Sequence, residues 1–158
     1  MFLVYEMCFE KKVIPSPDIE CIPFEDKVFE DYQEQYKKAY NAAFHPMREA
    51  LGIRPYDWFS EGGAVLKENS DIFLLINDGE FIGSVGCYGN EVDDLFVGEG
   101  YLGKGYGRKL LIWAMNNIIC KGNDKIVLHV AEWNKNAVQM YLNEGFVIVR
   151  KKEIKHDQ

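Results

Sequence analysis

The amino-acid sequence predicts a mixed α/β fold built on one sheet. Two apolar runs, 71–76 and 81–88, flank residues 77–80 (Asn-Asp-Gly-Glu), which are typical of a β-hairpin turn. The next strand pattern, 91–97, leads into a glycine-rich segment and then into an amphipathic helix. Strand and helix patterns alternate from there to the end of the chain. Together with the N-terminal patterns, these features predict the order β-α-α-β-β-β-α-β-α-β.

The N-terminal elements follow from hydrophobic spacing and from the prolines. Apolar residues recur every three or four positions from residue 24 to residue 43, which predicts a helix. Pro46 is expected to interrupt that helix at His45, because proline disfavours the helical conformation in the residue before it. The predicted elements are a strand at 2–9, a loop at 11–23, a helix at 24–43, a further turn at 47–51 ended by Gly52, and a second helix at 56–68.

The C-terminal elements have stronger signals. An apolar stripe formed by Leu110, Leu111, Ala114 and Ile118 indicates one buried face of a helix. The segment Lys-Gly-Asn-Asp at 121–124 is expected to end it. The predicted elements are the strands 71–76, 81–88 and 91–97, a helix at 105–120, a strand at 126–131, a helix at 134–143 and a strand at 146–154.

Length and composition narrow the class of protein. The 158 residues predict a single domain over 1–158, and the 47% hydrophobic content is sufficient for a core. The net charge of −7 argues against a nucleic-acid partner, because binding to phosphate backbones needs clustered Lys and Arg. It is compatible with a cationic substrate such as an amine. No apolar run approaches the ~20 residues that span a bilayer, so we expect no membrane partner. The four cysteines form no CxxC pair and are expected to be free thiols, which favours a reducing cytoplasm.

The glycine-rich segment predicts a phosphate-binding site. Gly103, Gly105 and Gly107 alternate where the helix should begin, and a helix N-terminus presents unpaired N–H groups and a partial positive charge. The segment lacks the GxxxxGK string followed directly by Ser or Thr that a Walker loop requires. Counted from Gly103 and Gly105, the segment also fails the GxGxxG pattern of dinucleotide-binding folds, because Arg108 stands where the third glycine is required. The strand before it follows a hairpin, which is the wrong position for that fold. His45, His129 and His156 are widely separated, and the sequence predicts no metal site.

Two blocks resemble motifs of the GNAT acyltransferase superfamily. Val97 to Leu111 resembles its motif A, in which Arg/Gln-x-x-Gly-x-Gly/Ala opens a helix after a strand. Asn134 to Phe146 resembles its motif B, an Asn, then an Ala, then a Tyr, then Gly-Phe. The resemblance implies a GNAT fold, with a central twisted, mostly antiparallel sheet, splayed parallel strands and helices on both faces. It also implies acetyl-CoA as co-substrate.

The resemblance assigns coenzyme-binding roles to three parts of the chain. The backbone of the third strand run (Leu95, Phe96 and Val97) would contact the pantetheine arm, and the N–H of Phe96 or Val97 would polarise the thioester carbonyl. Leu102 stands where the family usually has Arg or Gln, so the backbone amides must bind the pyrophosphate. The expected contacts also include Gly103, Lys104, Gly105, Tyr106, Gly107 and Arg108, and Asn134 and Asn136 on the following helix.

Several of these residues also have a purely structural interpretation. Lys104, Arg108 and Lys109 either add positive charge to the phosphate site or are solvated residues at the start of a helix. Asn134 either contacts the coenzyme or caps its helix, and both roles are compatible.

The resemblance and the strand pattern together nominate acid and base residues. Tyr141 occupies the motif B position of the acid tyrosine beside the coenzyme sulfur; the alternative is a core aromatic residue. Glu91 matches a catalytic glutamate of the histone-acetylating branch, and Asp93 is a second candidate base; the alternative for these carboxylates is an exposed charge at a strand edge. Because residues two apart share a strand face, Glu91, Asp93, Leu95 and Val97 are expected to point the same way. Glu132 is a third candidate base.

The acceptor is expected at the two N-terminal helices and their loop. Aromatic and acidic residues mix there as in an amine pocket, although ordinary packing explains them equally well; they are Tyr56, Asp57, Trp58, Phe59 and Glu61. The sequence therefore predicts an N-acetyltransferase that transfers acetyl directly to a small-molecule or peptide amine. It leaves open whether the protein forms a homodimer. The alternatives are a non-catalytic acyl-CoA-binding module, which the departure at Leu102 favours, and an enzyme with a longer acyl group or an alcohol acceptor.

Overall fold

A sheet of seven strands runs through the computed structural model, which describes residues 1–11 and 13–155. Lys12, in the predicted 11–23 loop, and His156 lie outside the described residues. Within the described part, the strands are β1 (Phe2–Phe9), β2 (Ile22–Phe24), β3 (Asn69–Asn77), β4 (Glu80–Tyr88), β5 (Glu91–Val97), β6 (Val127–Ala131) and β7 (Phe146–Ile154). The helices are α1 (Asp26–Leu51), α2 (Tyr106–Cys120) and α3 (Lys135–Glu144), with a 3₁₀ turn at Glu99–Tyr101.

The sheet is antiparallel except at one junction. Its strand order is β2-β3-β4-β5-β6-β1-β7, and only β5 and β6 run parallel. These two strands pair at Glu91 with Val127 and at Val92 with Leu128, and the pairing then ends. The mixed fold class with splayed parallel strands is thus confirmed. Among the described residues, no strand pairs with the β6-facing edge of β5 beyond Val92.

Helices cover both faces of the sheet, as expected. Leu110 and Leu111 of α2 are fully buried in one core cluster with residues of β4, β6 and β1. On the opposite face, Tyr36 of α1 stacks on Phe24 with ring centroids 4.7 Å apart. Neighbouring residues of β3 divide between the two clusters, as the two-residue period of a strand requires. The two packed layers hold α1 and α2 on either side of β5.

The expected break at Pro46 is wrong, because α1 continues through it to Leu51. The proline costs the helix one backbone hydrogen bond and disfavours the helical conformation at His45. Two side-chain contacts of His45 oppose that preference: Nδ1 lies 2.8 Å from Asp57 Oδ1, and Nε2 lies 3.2 Å from Glu49 Oε2. Aromatic packing on the sheet adds to them, so tertiary contacts override the local signal.

The predicted second helix at 56–68 is also wrong, because those residues form turns and extended chain. Gly62 has a φ of +81°, and a Cβ on Gly63 would come within 2.3 Å of the Trp58 ring. Phe59 packs instead on Tyr40 of α1, with ring centroids 5.0 Å apart. The short strand β2 is a further difference, since it lies in a segment predicted as a loop and the start of a helix.

The remaining elements agree with the sequence pattern to within two residues at most ends. Gly105 is the N-cap of α2, and Gly145 ends α3 in the left-handed conformation. None of the described helices combines the length and the apolar character needed to cross a bilayer.

Candidate active site

A groove of about 380 Å³ opens where β5 and β6 diverge. Its floor is β5 from Val92 to Val97, and β6 lines the opposite side. Residues of α1 and β1 form one end, and residues of α2 and α3 form the other. The groove therefore runs through the splay and connects the two faces of the sheet.

The free edge of β5 presents backbone groups to this groove. The N–H of Gly98 donates to the carbonyl of Ile82 in β4 at 2.8 Å. Because successive amides of a strand point in opposite directions, the N–H of Val97 points away from β4 and toward the splay. The sequence did not decide whether the N–H of Phe96 or that of Val97 polarises the thioester carbonyl. The alternation of amide directions favours Val97.

The glycine segment forms an open backbone surface at the start of α2. Gly103 and Gly105 have φ values of +75° and +83°, and no atom lies within 4 Å of a Cβ built on either. No side chain caps α2 at Gly105. The first amides of the helix, from Tyr106 to Arg108, have no partner within the helix, and the helix dipole adds positive potential there. This end of α2 has the donors that bind a phosphate group.

The cations around this segment are partly neutralised. Arg108 Nε donates to Glu144 Oε1, and the Glu144 side chain is buried at the end of α3. Lys109 Nζ lies 3.1 Å from Asp18 Oδ2. Lys104 Nζ stands over the Tyr101 ring, 5.9 Å from its centroid. Binding of an anion here would therefore depend mainly on backbone amides and Lys104.

Leu102 lies between the 3₁₀ turn and the glycine segment and lines the groove. Its side chain is 62% exposed. It contributes apolar surface where the resembling motif has a hydrogen-bond donor. Binding of an anion would therefore depend on the backbone amides.

Asn134 caps α3, so the structural role of this side chain is confirmed. Its Oδ1 accepts from the N–H of Ala137 at 3.3 Å. Asn134 also lines the groove, and its amide nitrogen remains a donor for a ligand. Asn136 is exposed in the first turn of the same helix and lines a neighbouring depression with Leu95 and Leu102.

Tyr141 of α3 combines a core position with access to the groove. Its side chain is 8% exposed, its ring packs near Phe146, and it lines the groove. Burial raises the pKa of the Tyr141 hydroxyl, and the nearby Asp93 carboxylate raises it further. The hydroxyl is therefore protonated at neutral pH and can act as a hydrogen-bond donor.

The expectation that Glu91, Asp93, Leu95 and Val97 share a face is wrong. Asp94 and Leu95 together stand opposite Val85 of β4, which is a β-bulge, and Asp94 has a φ of +49°. The extra residue inverts the alternation. Leu95 and Val97 pack against the α2 cluster, whereas Asp93 pairs with Gly86 and faces α1 together with Asp94.

The bulge directs two adjacent carboxylates into the groove. Asp93 and Asp94 both line it. Asp94 Oδ2 accepts from the Tyr88 hydroxyl at 2.9 Å, and Asp93 Oδ1 accepts from the Asp94 N–H at 2.8 Å. Burial raises the pKa of Asp94, and the charge of Asp93 raises it further, against smaller opposing effects of Tyr88 and Arg48.

Asp94→Asn is expected to raise Tm at pH 7. The folded-state pKa of Asp94 lies above its unfolded value, so its contribution to stability falls as pH rises from ~3.9 through the folded pKa. Asparagine removes that cost, tolerates positive φ and still accepts from Tyr88. Thermal unfolding should show a gain at pH 7 that vanishes near pH 3. Asp78→Asn is the control, because Asp78 also has a left-handed φ of +51° but lies in the β3–β4 turn. An equal gain in Tm at pH 7 and pH 3 would contradict a raised folded-state pKa for Asp94.

Glu91 and Glu132 occupy different surroundings from Asp93. Glu91 Oε2 lies 3.5 Å from His129 Nδ1, and His129 Nε2 lies 3.2 Å from Glu6 Oε1. His129 lines the groove, and Glu91 is connected to the groove through this histidine. Glu132 accepts a hydrogen bond from the Tyr5 hydroxyl. His129 is a lone histidine in an alternating strand, so no pattern in the sequence marks it as a site residue.

The predicted acceptor residues at 56–61 do not line this groove. Asp57 bonds His45, and Trp58 lies under the Arg48 guanidinium at 4.7 Å. The α1 side of the groove is formed instead by Phe44, Met47 and Ile53. Among the described residues no cluster of His, Cys, Asp and Glu could hold a metal ion.

Known structures share this architecture. An acetyltransferase of the GNAT family from Colwellia psychrerythraea superposes with a TM-score of 0.69 at 13% identity, covering 94% of this chain and 53% of that one. A GNAT-family structure from Novosphingobium aromaticivorans gives a TM-score of 0.60 at 18% identity, covering 95% and 61%. This chain thus spans only about half to three fifths of the length of these two proteins. A ribosomal-protein-alanine N-acetyltransferase from Brucella melitensis gives 0.55 at 17% identity, covering 78% and 94%.

At such low sequence identities, the superpositions establish a common fold and no more. The family itself is established by the sequence, because the model of the acetyltransferase (GNAT) family matches residues 25–146, more than half of the chain. The matched region contains β5, the glycine segment, α2 and Tyr141. The chain belongs to the GNAT acetyltransferase family.

Proposed function

We propose that this protein is an acetyl-CoA-dependent N-acetyltransferase that transfers acetyl directly to a bound primary amine. One observation carries the proposal: the uncapped glycine segment, the free edge of β5 and Tyr141 all adjoin or line the groove at the splay. The glycine segment suits a pyrophosphate, and the free edge of β5 suits an extended arm that contains amides. Tyr141 suits a departing thiolate.

The residues present fit the coenzyme. The amides from Gly103 to Arg108 would bind the pyrophosphate, because the open backbone at Gly103 and Gly105 leaves space that side chains would occupy. The edge of β5 would pair with the pantetheine arm, with the Val97 N–H directed at the thioester carbonyl. When bound, acetyl-CoA supplies an activated acetyl group. The chain's own task is to orient it and to manage two protons.

The first proton belongs to the acceptor. An alkylammonium of pKa ~10.4 must lose a proton before attack, which costs roughly 4–5 kcal/mol at pH 7. Asp93, which lines the groove, is the carboxylate that would receive it, either directly or through water. Glu91, behind His129, is the second base candidate.

The second step concerns the leaving group. As the amine nitrogen forms its bond to the acetyl carbon, the carbon–sulfur bond breaks and its electron pair remains on sulfur. Tyr141, protonated because burial raises its pKa, would donate a hydrogen bond to that sulfur. A thiol is more acidic than this phenol, so hydrogen-bond donation describes the role better than complete proton transfer.

The second candidate function is a non-catalytic acyl-CoA-binding module. The exposed apolar side chain of Leu102 favours it, because the family motif has a polar residue there. Such a module would bind acetyl-CoA without releasing a thiol.

Two measurements distinguish these functions. Acetyl-CoA binding is measured by titration calorimetry, and thiol release is followed with a chromogenic disulfide reagent in the presence of single amines. Binding accompanied by amine-dependent thiol release is the expected result. Binding without release across alkylamines, polyamines, amino acids and peptides would favour the module. Absence of coenzyme binding would overturn both functions.

A further inference from the structure

The α1 end of the groove has apolar walls. Phe44 and Met47 of α1 line it together with Ile53 in the segment that follows. Val4 of β1 also lines it and alternates with Tyr5, which packs in the opposite core. These side chains are half-buried, so this part of the groove is an apolar surface in contact with solvent.

The floor of this apolar end is acidic. Asp93 and Asp94 are neighbours on the bulge, and both line the groove. Asp94 is half-buried and Asp93 is exposed. Keeping a half-buried carboxylate ionised is costly unless a positive charge accompanies it. A ligand ammonium would supply that charge.

The basic side chains near this floor have partners elsewhere. Within the described residues, none of those that line the groove is a lysine or an arginine. Arg48 is close enough to influence Asp94, but its Nη1 donates to the Pro55 carbonyl at 3.3 Å and its guanidinium stacks on Trp58. His129 lies between the carboxylates of Glu6 and Glu91. Lys152, opposite Val4, likewise lies 3.8 Å from Glu6 Oε1 through its Nζ. These cations already contact other groups, whereas an acceptor carboxylate on this floor would lie beside Asp93 and Asp94.

We propose that the acceptor is a small primary amine carried on an apolar, aliphatic or aromatic body that bears no anionic group. The proposal rests on the proposed function and assigns its acceptor class. The ammonium lies at Asp93 and Asp94, and the body packs between Phe44, Met47 and Val4. Asp94 is then a specificity-determining residue. Strict two-residue alternation along β5 does not place it in the groove, so the sequence pattern did not identify it.

Three other acceptor classes fit less well. An α-amino acid places a carboxylate next to its amine and therefore next to Asp93. A polyamine or an aminoglycoside places further charges or hydroxyl groups against apolar walls, which cannot hydrogen-bond them. A peptide N-terminus adds backbone amides that need partners along the same walls.

Matched ligands test the proposal by equilibrium binding, independently of turnover. Phenethylamine, phenylalanine, ethylamine, spermidine and an alanine-initiated tripeptide are titrated into the protein saturated with coenzyme A. Phenylalanine differs from phenethylamine only by the carboxylate, and ethylamine lacks the aromatic body. We expect phenethylamine to bind at least tenfold tighter than every other ligand. Equal or tighter binding of any of the other four would overturn the proposal.

Variants test the residues. Asp94→Asn should weaken phenethylamine binding at least fivefold while coenzyme A binding is retained, and the control Asp78→Asn should change neither. Met47→Lys should weaken phenethylamine binding and narrow its advantage over phenylalanine. Unchanged binding in Asp94→Asn would remove Asp94 from the site. If the protein fails to bind coenzyme A, the proposed function falls; the amine titration is then run on the free protein, where failure to prefer phenethylamine overturns the acceptor class separately.

Discussion

Gly105→Glu is expected to lower the affinity for coenzyme A by about 100-fold or more. Gly105 has a φ of +83° at the N-cap of α2, and the space beside it is open. A glutamate there would place a carboxylate where the helix dipole and the free amides attract an anion. It would also place a side chain in the left-handed region, at about 1–2 kcal/mol. A 100-fold loss corresponds to about 2.8 kcal/mol.

The control must separate loss of binding from backbone strain. Gly122, beyond the opposite end of α2, has a φ of +93° and equally open space. Gly122→Glu therefore introduces the same side chain and a similar strain far from the groove. Calorimetric titration should show nearly wild-type affinity for this variant. Retained affinity in Gly105→Glu, with both proteins folded, would contradict the assignment of the glycine segment to phosphate.

The same segment shows why part of this site could be predicted from sequence. The glycines, the following helix stripe and the Asn of α3 act through short-range chemistry: left-handed turns, an uncapped helix start and a helix cap. Such features depend on residues within a few positions of one another. The structure accordingly places α2 and α3 within one or two residues of their predicted bounds.

The bulge on β5 shows why strand periodicity could not predict which side chains of this strand share a face. Strict alternation assumes one residue per step, and the left-handed Asp94 breaks that assumption. A sequence with two adjacent aspartates gives no sign of which one adopts positive φ. The consequence is functional, because the inversion brings Asp94 into the groove and separates Asp93 from the face of Leu95.

Long-range contacts account for the other differences. Arg108 and Glu144 are 36 positions apart, and only the packing of α2 beside α3 shows that this arginine is already paired. Likewise, α1 passes through Pro46 because His45 contacts Asp57, a residue beyond the helix. In both cases a contact with a residue distant in sequence, which no local pattern reveals, determines the observed structure.

Tyr141→Phe is expected to lower kcat about 100-fold with little change in KM for acetyl-CoA. The substitution removes only the hydroxyl, so the ring keeps its place near Phe146 and the core is preserved. A hydrogen bond to the departing sulfur strengthens as negative charge develops, and its loss therefore acts on the transition state more than on binding. Removing one hydrogen-bond donor to a developing negative charge typically costs 10²–10³-fold in kcat.

Tyr32→Phe is the matched control for this change. The Tyr32 hydroxyl donates to the Gly79 carbonyl at 3.0 Å, in the N-terminal half of α1 and away from the groove. Steady-state kinetics should give the control a wild-type kcat. If Tyr141→Phe also keeps the wild-type kcat, Tyr141 is a core residue and the departing thiolate is stabilised by another group. If coenzyme affinity falls while kcat is kept, the hydroxyl contributes to ground-state binding instead, because loss of uniform binding changes affinity and leaves kcat unchanged.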